Sequence, residues 1–239
     1  MRRALLTATL VMVVGLLAGC GDESEQAATV TVPAGGASAT GCWTDDQVTS
    51  RDEAGNPSQW SVAPAMSIDP AQAYTALIET SAGTITVELL PAIAPLSVNN
   101  FVCLARAGYY DGTPSHRIIA GFVVQAGDPT GTGGGGPGYR FPDEPVQGEY
   151  VAGAVAMANA GPDTNGSQFF LILDDLTTRL PKNYNLFGRV VAGQDVLQTL
   201  GQTPVQADAR GEVSVPIEPV QLVRVTITEG TAIAGTPAA

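Results

Sequence analysis

Two segments of the chain combine apolar runs with polar side chains that could bind and polarise a ligand. Ser115–Asp128 reads SHRIIAGFVVQAGD, and Met157–Phe170 reads MANAGPDTNGSQFF. A strand in a barrel wall needs only the alternation of apolar and polar residues. Here hydrogen-bonding side chains interrupt the apolar runs at His116, Arg117, Gln125, Asn159 and Gln168. The pattern indicates a sheet that presents a site.

The same residues exclude several chemistries. His116 is the only histidine, which excludes multi-histidine metal sites. A Ser–His–Asp hydrolase would need a nucleophile elbow, which the chain lacks. Gly131–Gly138 (GTGGGGPG) lacks the Gly-Lys-Ser/Thr and the helix start of a phosphate-binding loop. A lone arginine on a strand is most often a solvated surface charge. Phe122 and Gln125 follow Arg117 at fixed spacing, and this combination favours a functional role for Arg117.

The elements that must position these side chains are short strands and two helices. The 28 glycines and 17 prolines predict many turns. Helices fit Ser97–Arg106, where apolar residues recur at helical spacing, and Gln194–Leu200. Strands are predicted at Tyr74–Glu79, Thr84–Leu89, His116–Ile119, Phe122–Ala126, Val151–Met157, Gln168–Leu173, Phe187–Val191 and Val220–Thr228. Composition alone supports an all-β barrel or sandwich.

The two motifs resemble the cyclophilin family of peptidyl-prolyl cis-trans isomerases, and the resemblance covers roughly Ala73–Thr228. It implies a mainly β fold, a closed eight-stranded antiparallel barrel capped by two helices. It also implies an enzyme that rotates X–Pro bonds in unfolded or folding polypeptides, without a cofactor or a metal. We expect a monomer.

The resemblance assigns roles to individual residues. It implies that Arg117 stabilises the twisted amide, that Phe122 grips the proline ring and that Gln125 holds the substrate carbonyl. The implied substrate-binding residues are His116, Val123, Ala158, Asn159, Ala160, Gln168, Phe170, Leu180 and Tyr184. His116 and Arg117 are adjacent on a strand and should face opposite sides, so His116 is interpreted as a lining group rather than a proton donor.

The segment Asp174–Asn185 departs from the family pattern. It lacks the tryptophan of the cyclosporin-sensitive eukaryotic members, and Tyr184 stands where those members have a histidine. Cyclosporin binding is therefore expected to be weak. The alternative function is a membrane-tethered module that binds proline-containing peptides without turnover. A solute-binding lipoprotein would need a longer, two-lobed chain.

The start of the chain predicts where the protein works. Met1–Arg3 is basic and Ala4–Leu17 is apolar, which is typical of a signal peptide, here predicted over 1–19. The following LAGC resembles a bacterial lipobox, which implies acylation of Cys20 with fatty acids such as palmitate. The predicted location is the extracytoplasmic face of the bacterial cell membrane, lipid-anchored. The alternatives are an ordinary secretory signal with a chance cysteine and an uncleaved anchor.

Four further regions complete the domain organisation. Residues 20–40 are predicted to be a lipidated flexible tether, 41–72 an N-terminal extension that lies partly against the barrel, 73–228 the isomerase domain and 229–239 a loose tail. The formal net charge of −12 becomes −14 when Arg2 and Arg3 leave with the signal peptide. This acidity argues against a nucleic-acid partner.

The remaining two cysteines are predicted to form a disulfide. The chain has three cysteines, and lipidation would use Cys20, which leaves Cys42 and Cys103 in an oxidising compartment. On a helical wheel, Cys103 points away from the apolar stripe of its helix, toward the side that the extension could reach. The alternative is a half-buried Cys103 with Cys42 unpaired in the tether.

Overall fold

The computed structural model describes residues 41–53 and 55–230. The predicted signal peptide 1–19, the tether 20–40 with Cys20, and 231–239 of the predicted tail lie outside the described residues. None of the helices within 41–53 and 55–230 has the length and hydrophobicity needed to traverse a bilayer.

The described chain is mainly β-structure with two α-helices. The first strands and helix are β1 (Val48–Arg51), β2 (Pro57–Trp60), β3 (Tyr74–Thr80), β4 (Gly83–Leu89), α1 (Pro95–Arg106), β5 (Thr113–Ser115), β6 (Arg117–Ile119) and β7 (Val123–Ala126). The remaining elements are β8 (Ala154–Met157), β9 (Phe169–Ile172), β10 (Leu186–Ala192), α2 (Gln194–Gly201), β11 (Val205–Ala207), β12 (Val213–Pro216) and β13 (Val220–Glu229).

Nine antiparallel strands form a nearly closed barrel in the order β5-β13-β3-β4-β10-β8-β9-β7-β6. The strands at the two ends of this order, β5 and β6, are consecutive in the sequence and separated only by His116. One run of chain therefore pairs with β13 through its first half and with β7 through its second half. The predicted fold is confirmed, but the predicted count of eight strands was wrong by one because the prediction began this run at His116 and omitted β5.

Helix α1 closes one end of the barrel and is buried along most of its length. Its apolar stripe, which includes Val98, Phe101 and Val102, is at most 1% exposed. Ala94 at the N-cap has no hydrogen-bonding side chain, so the first turn takes its cap from elsewhere in the chain. Glu144 accepts hydrogen bonds from the N–H groups of Leu96 (2.8 Å) and Ser97 (2.9 Å) and from the Ser97 hydroxyl (2.6 Å). A carboxylate at this position also favours the positive end of the helix dipole.

The extension before β3 packs into the same core as the barrel. Strands β1 and β2 form an antiparallel hairpin, and the ring of Trp60 stacks on that of Trp43 at 4.3 Å between centroids. Both indoles, with Ile68, belong to the main hydrophobic core. Cys42 is joined by a disulfide to Cys103 of α1, with Cα atoms 5.8 Å apart. Cys103 is completely buried because the extension covers the side of α1 that the helical wheel leaves outside the apolar stripe.

Candidate active site

The register of three neighbouring strands places Arg117, Gln125 and Phe170 in one row. Arg117 is the cross-strand partner of Gln125 between β6 and β7, and Gln125 is the partner of Phe170 between β7 and β9. Directly opposed residues project from the same face of a sheet. Two interstrand steps of roughly 4.8 Å separate the backbone of Arg117 from that of Phe170.

A second apolar cluster lies on this face, separate from the main core. Val123 and Phe170 are buried members of the cluster, and the half-buried residues that pack against it include Phe122, Ala158, Leu180 and Tyr184. The ring of Phe170 meets that of Tyr184 edge-on at 5.4 Å between centroids. The structure therefore brings together Phe122, Val123, Phe170 and Leu180, four apolar residues to which the family resemblance gives contact with the substrate. Strand β9 is buried on both faces because it contributes to both clusters.

The segment 174–185 forms one wall of this pocket, and hydrogen bonds to Tyr150 and Asn159 hold the part that carries Tyr184. The hydroxyl of Tyr150 donates to the carbonyl of Tyr184 (2.7 Å) and accepts from its N–H (3.0 Å). The amide nitrogen of Asn159 donates to the carbonyl of Asn183 (2.8 Å). Burial raises the pKa of Tyr150 to about 12, so its hydroxyl stays protonated at neutral pH. These contacts fix the wall across the pocket from Phe122.

A chain of side-chain hydrogen bonds extends from the arginine along the rim of the pocket. Arg117 Nη1 donates to Gln125 Oε1 (3.3 Å), and Gln125 Nε2 donates to Gln168 Oε1 (3.0 Å). Gln168 Nε2 then donates to the carbonyls of Gly133 (2.9 Å) and Gly135 (3.0 Å). This series of hydrogen bonds fixes the side-chain amides of Gln125 and Gln168 and connects the Arg117 guanidinium to the glycine-rich loop.

The glycine-rich loop is folded around the carboxylate of Asp128. This carboxylate accepts hydrogen bonds from the N–H groups of Thr130, Gly133 and Gly135 at 2.7–3.0 Å. Burial alone would raise the pKa of Asp128, but these bonds and one from the Thr130 hydroxyl outweigh it and lower the pKa. A Cβ at Gly135 would stand 2.0 Å from the carboxylate, so this position requires glycine.

The loop and the second motif enclose a groove of about 700 Å³ beside the apolar pocket. The groove is lined by the predicted residues Gln125, Ala158, Asn159, Ala160 and Gln168, by loop residues 133–138, and by Gln59 of β2. Ala160 is exposed at its edge. The extension therefore contributes a side chain to the wall of the groove.

His116 lies at the break between β5 and β6, next to the loop rather than in the row that contains Arg117. A Cβ at Gly133 would be 3.5 Å from its ring. Both ring nitrogens are buried, and neither has a hydrogen-bond partner within the described part of the chain. Burial lowers the pKa of His116, so the ring is neutral at pH 7. A neutral, half-buried imidazole fits the predicted lining role.

The most direct contact of Arg117 is one that the sequence did not indicate. Glu212 of the β11–β12 turn accepts from Arg117 Nε (2.7 Å) and Nη2 (2.8 Å). The hydrogen bond to Glu212 raises the pKa of Arg117, so the guanidinium stays charged. Sequence reasoning also missed the roles of Asp128 and Gln59. The signal that could have indicated the hairpin turn at Glu212 is the Asp and Gly of DARGE at 208–212, residues that favour turns.

Comparison with known proteins agrees with this geometry. A family model described as cyclophilin type peptidyl-prolyl cis-trans isomerase/CLD matches residues 75–227. The chain is 45% identical over 152 residues to peptidyl-prolyl cis-trans isomerase-like 1 of Neurospora crassa (62% of this chain, 93% of that protein) and 45% identical to the Bos taurus protein of that name (62% and 88%). A crystal structure of a Cryptosporidium parvum cyclophilin type peptidyl-prolyl cis-trans isomerase superposes with a TM-score of 0.59 at 34% identity, covering 65% of this chain and 98% of that one. A second structure of that protein, in the presence of the dipeptide Ala-Pro, gives a TM-score of 0.58 at 35% identity, covering 64% and 98%. The chain therefore belongs to the cyclophilin-type peptidyl-prolyl cis-trans isomerase family and is an enzyme of that class.

Proposed function

We propose that the enzyme rotates X–Pro bonds by holding the proline ring in the pocket of Phe122, Val123 and Phe170 while Arg117 stabilises the twisted amide. The rotation barrier of roughly 18–20 kcal/mol is amide resonance. At the twisted geometry resonance is lost, and the prolyl nitrogen gains a lone pair that can accept a hydrogen bond. A guanidinium beside that nitrogen binds the transition state more tightly than the planar ground state, as catalysis requires.

The observation that carries the proposal is the single row of Arg117, Gln125 and Phe170 at the edge of an apolar pocket. The apolar side chains hold the proline ring, and the guanidinium donates a hydrogen bond to the prolyl nitrogen of the substrate. The side-chain amide of Gln125 can hold the carbonyl on the other side of the X–Pro bond. No group on this path has to gain or lose a proton. The Ala-Pro dipeptide used with the Cryptosporidium parvum relative supports a proline-containing peptide as the ligand of this site.

The test is a protease-coupled isomerisation assay, in which purified residues 41–230 act on a short Ala-Pro-Phe peptide. Uncatalysed exchange takes roughly 10–100 s at 25 °C, so modest catalysis is visible. Arg117→Ala should lower kcat/KM by at least about 10²-fold, the loss typical of one preorganised donor. Phe122→Ala should also lose activity. The matched control is Arg224→Ala, which removes an exposed arginine from β13 and should leave the rate unchanged.

Two results would contradict the proposal. Wild-type activity in a folded Arg117→Ala variant would remove the mechanism. A wild-type rate equal to that of buffer, together with saturable peptide binding, would instead favour the alternative of a proline-peptide binding module without turnover.

We also propose that the enzyme acts on polypeptides outside the cytoplasm, anchored to the membrane through lipid on Cys20. The signal-like residues 1–19 and the LAGC at 17–20 support this, and so does the Cys42–Cys103 disulfide, since such bonds persist in oxidising compartments. Two acyl chains on one residue suffice for stable anchoring. In a bacterial host, labelled palmitate should enter the wild-type protein but not Cys20→Ser. Equal labelling of both, or recovery of unprocessed wild type from the cytosol, would refute the proposal.

A further inference from the structure

A short hairpin outside the barrel carries an acidic residue directly to the arginine of the site. Strands β11 and β12 pair antiparallel, and β12 packs beside β6, the strand on which Arg117 lies. Glu212, at the end of the connecting turn, faces the guanidinium with both carboxylate oxygens, at 2.7 and 2.8 Å. Two parallel bonds of this kind fix the plane of a guanidinium as well as its position.

The turn that presents Glu212 is itself rigidly built. Asp208 accepts hydrogen bonds from the N–H groups of Arg210 and Glu212, both at 2.8 Å, and its own N–H donates to the carbonyl of Glu212 (2.8 Å). At the base of the hairpin, the N–H of Ile217 donates to the carbonyl of Pro204 (2.9 Å). Because tip and base are both closed, the carboxylate of Glu212 approaches Arg117 from a defined direction.

The contacts leave a definite part of the guanidinium available to a substrate. Arginine has five N–H donors in a planar fork. Glu212 takes one on Nε and one on Nη2, and Gln125 takes one on Nη1. Two N–H bonds remain, one on each terminal nitrogen. One N–H on Nη1 and one on Nη2 are therefore the donors left for a bound amide.

We propose that Glu212 is a positioning residue, which holds the guanidinium of Arg117 in the orientation that the twisted prolyl amide requires. The inference rests on the proposed role of Arg117 and deepens it. Without Glu212, only the longer hydrogen bond to Gln125 would restrain the Arg117 side chain, which has four rotatable bonds. The guanidinium would then have to be ordered anew in each turnover, at a cost in conformational entropy.

A second effect of Glu212 opposes the first. Its negative charge partly cancels the field of Arg117 at the prolyl nitrogen, so its removal would strengthen that field. The pair is half-exposed, with 28% and 38% of the two side chains accessible, and water screens the charge of such pairs strongly. The hydrogen-bond geometry is short-range and escapes this screening. Loss of orientation therefore outweighs the gain in field.

The experiment compares Glu212→Gln and Glu212→Ala with Glu218→Gln in the peptide isomerisation assay. Glu218 is exposed on the segment that follows the hairpin and serves as the charge control. Immobilising one flexible side chain is worth about a tenfold factor, so kcat should fall about tenfold in both Glu212 variants. KM and the unfolding temperature should stay close to wild type, and Glu218→Gln should match wild type throughout.

An Arg117→Ala background separates positioning through the arginine from any other role. At enzyme concentrations high enough to measure residual catalysis, adding Glu212→Ala to Arg117→Ala should cause no further loss. An equal loss in both backgrounds, a parallel fall in unfolding temperature, or unchanged or raised activity in the Glu212 single variants would each overturn the inference. Wild-type activity in Arg117→Ala alone would refute the proposed function, whereas normal Glu212 variants beside an impaired Arg117→Ala would refute only this inference.

Discussion

Removal of the Cys42–Cys103 disulfide should destabilise the protein by about 3–4 kcal/mol. The bond joins residues 61 apart in sequence, and the loop-closure relation for a ring of this size gives about 4 kcal/mol at 25 °C. Typical disulfides contribute about 2–4 kcal/mol. For a domain of this size, each kcal/mol moves the unfolding temperature by about 2–4 °C. Replacing both cysteines by alanine should therefore lower it by roughly 10 °C.

Loss of the disulfide should affect peptide binding in the groove more than the rate of X–Pro rotation. The N–H of Trp60 donates to the carbonyl of Pro137 (2.8 Å), and a Cβ at Gly138 would be 2.7 Å from the Trp60 carbonyl, so the extension supports the glycine-rich loop. A loosened extension should raise KM for long protein substrates several-fold. The kcat for a short peptide should stay within about twofold, since the strand register positions Arg117 independently.

Thermal unfolding with and without reductant provides the measurement. Oxidised wild type should unfold at the higher temperature, and reduced wild type should converge on the double-alanine variant. Reductant should not alter the variant itself, which controls for other effects of the reagent. Equal unfolding temperatures for oxidised and reduced wild type, or free alkylation of Cys42 and Cys103 in the non-reduced protein, would refute the reasoning.

Three further predictions concern acidity, helix capping and inhibition. Because burial lowers the pKa of His116 below its ordinary 6.5, the unfolded chain binds the proton first, and the unfolding free energy should fall as the pH drops below about 6.5. His116→Asn should remove that part of the pH dependence between pH 7.5 and 5.5. Glu144→Ala removes the acceptor of two buried donors and one half-buried donor and should cost about 2–4 kcal/mol in urea unfolding, whereas Glu149→Ala, which breaks an exposed ion pair, should cost under about 1 kcal/mol. Cyclosporin should inhibit the wild type only weakly, and Arg179→Trp, beside the Phe122 ring, should tighten inhibition at least about tenfold; nanomolar inhibition of the wild type would contradict this.

The elements that the sequence predicted are those in which local pattern and tertiary packing agree. Ser97–Arg106 carries an apolar stripe at helical spacing, and the observed α1 extends it by only two residues at its start. Both motifs form barrel strands because their apolar runs are buried on two faces, in the main core and in the second apolar cluster. Val151–Met157 was predicted too long, since Gly153 has a positive φ and the strand begins at Ala154.

The elements that sequence reasoning missed owe their structure to tertiary contacts. The strands β11 and β12 are three and four residues long and bury a single residue between them, so no alternation marks them. The hairpin β1–β2 is held by Trp60 packing and the disulfide rather than by strand propensity. Glu212 could not be assigned from sequence because its role depends on where the hairpin lies, which a contact across 95 residues decides.

The assembly of the site explains why the family motif predicts the residues on the barrel strands but not the residues that surround them. Arg117, Gln125 and Phe170 are separated by strand pairing, so any sequence that closes this barrel in this register reproduces their spacing. The groove and the arginine's carboxylate partner come from segments that do not belong to the barrel. Gln59 lines the groove as part of the extension that the disulfide joins to α1, and Glu212 contacts Arg117 as part of the β11–β12 hairpin. Under the proposed mechanism, changes in those two segments would alter peptide binding in the groove and the orientation of Arg117 without changing the register of the barrel.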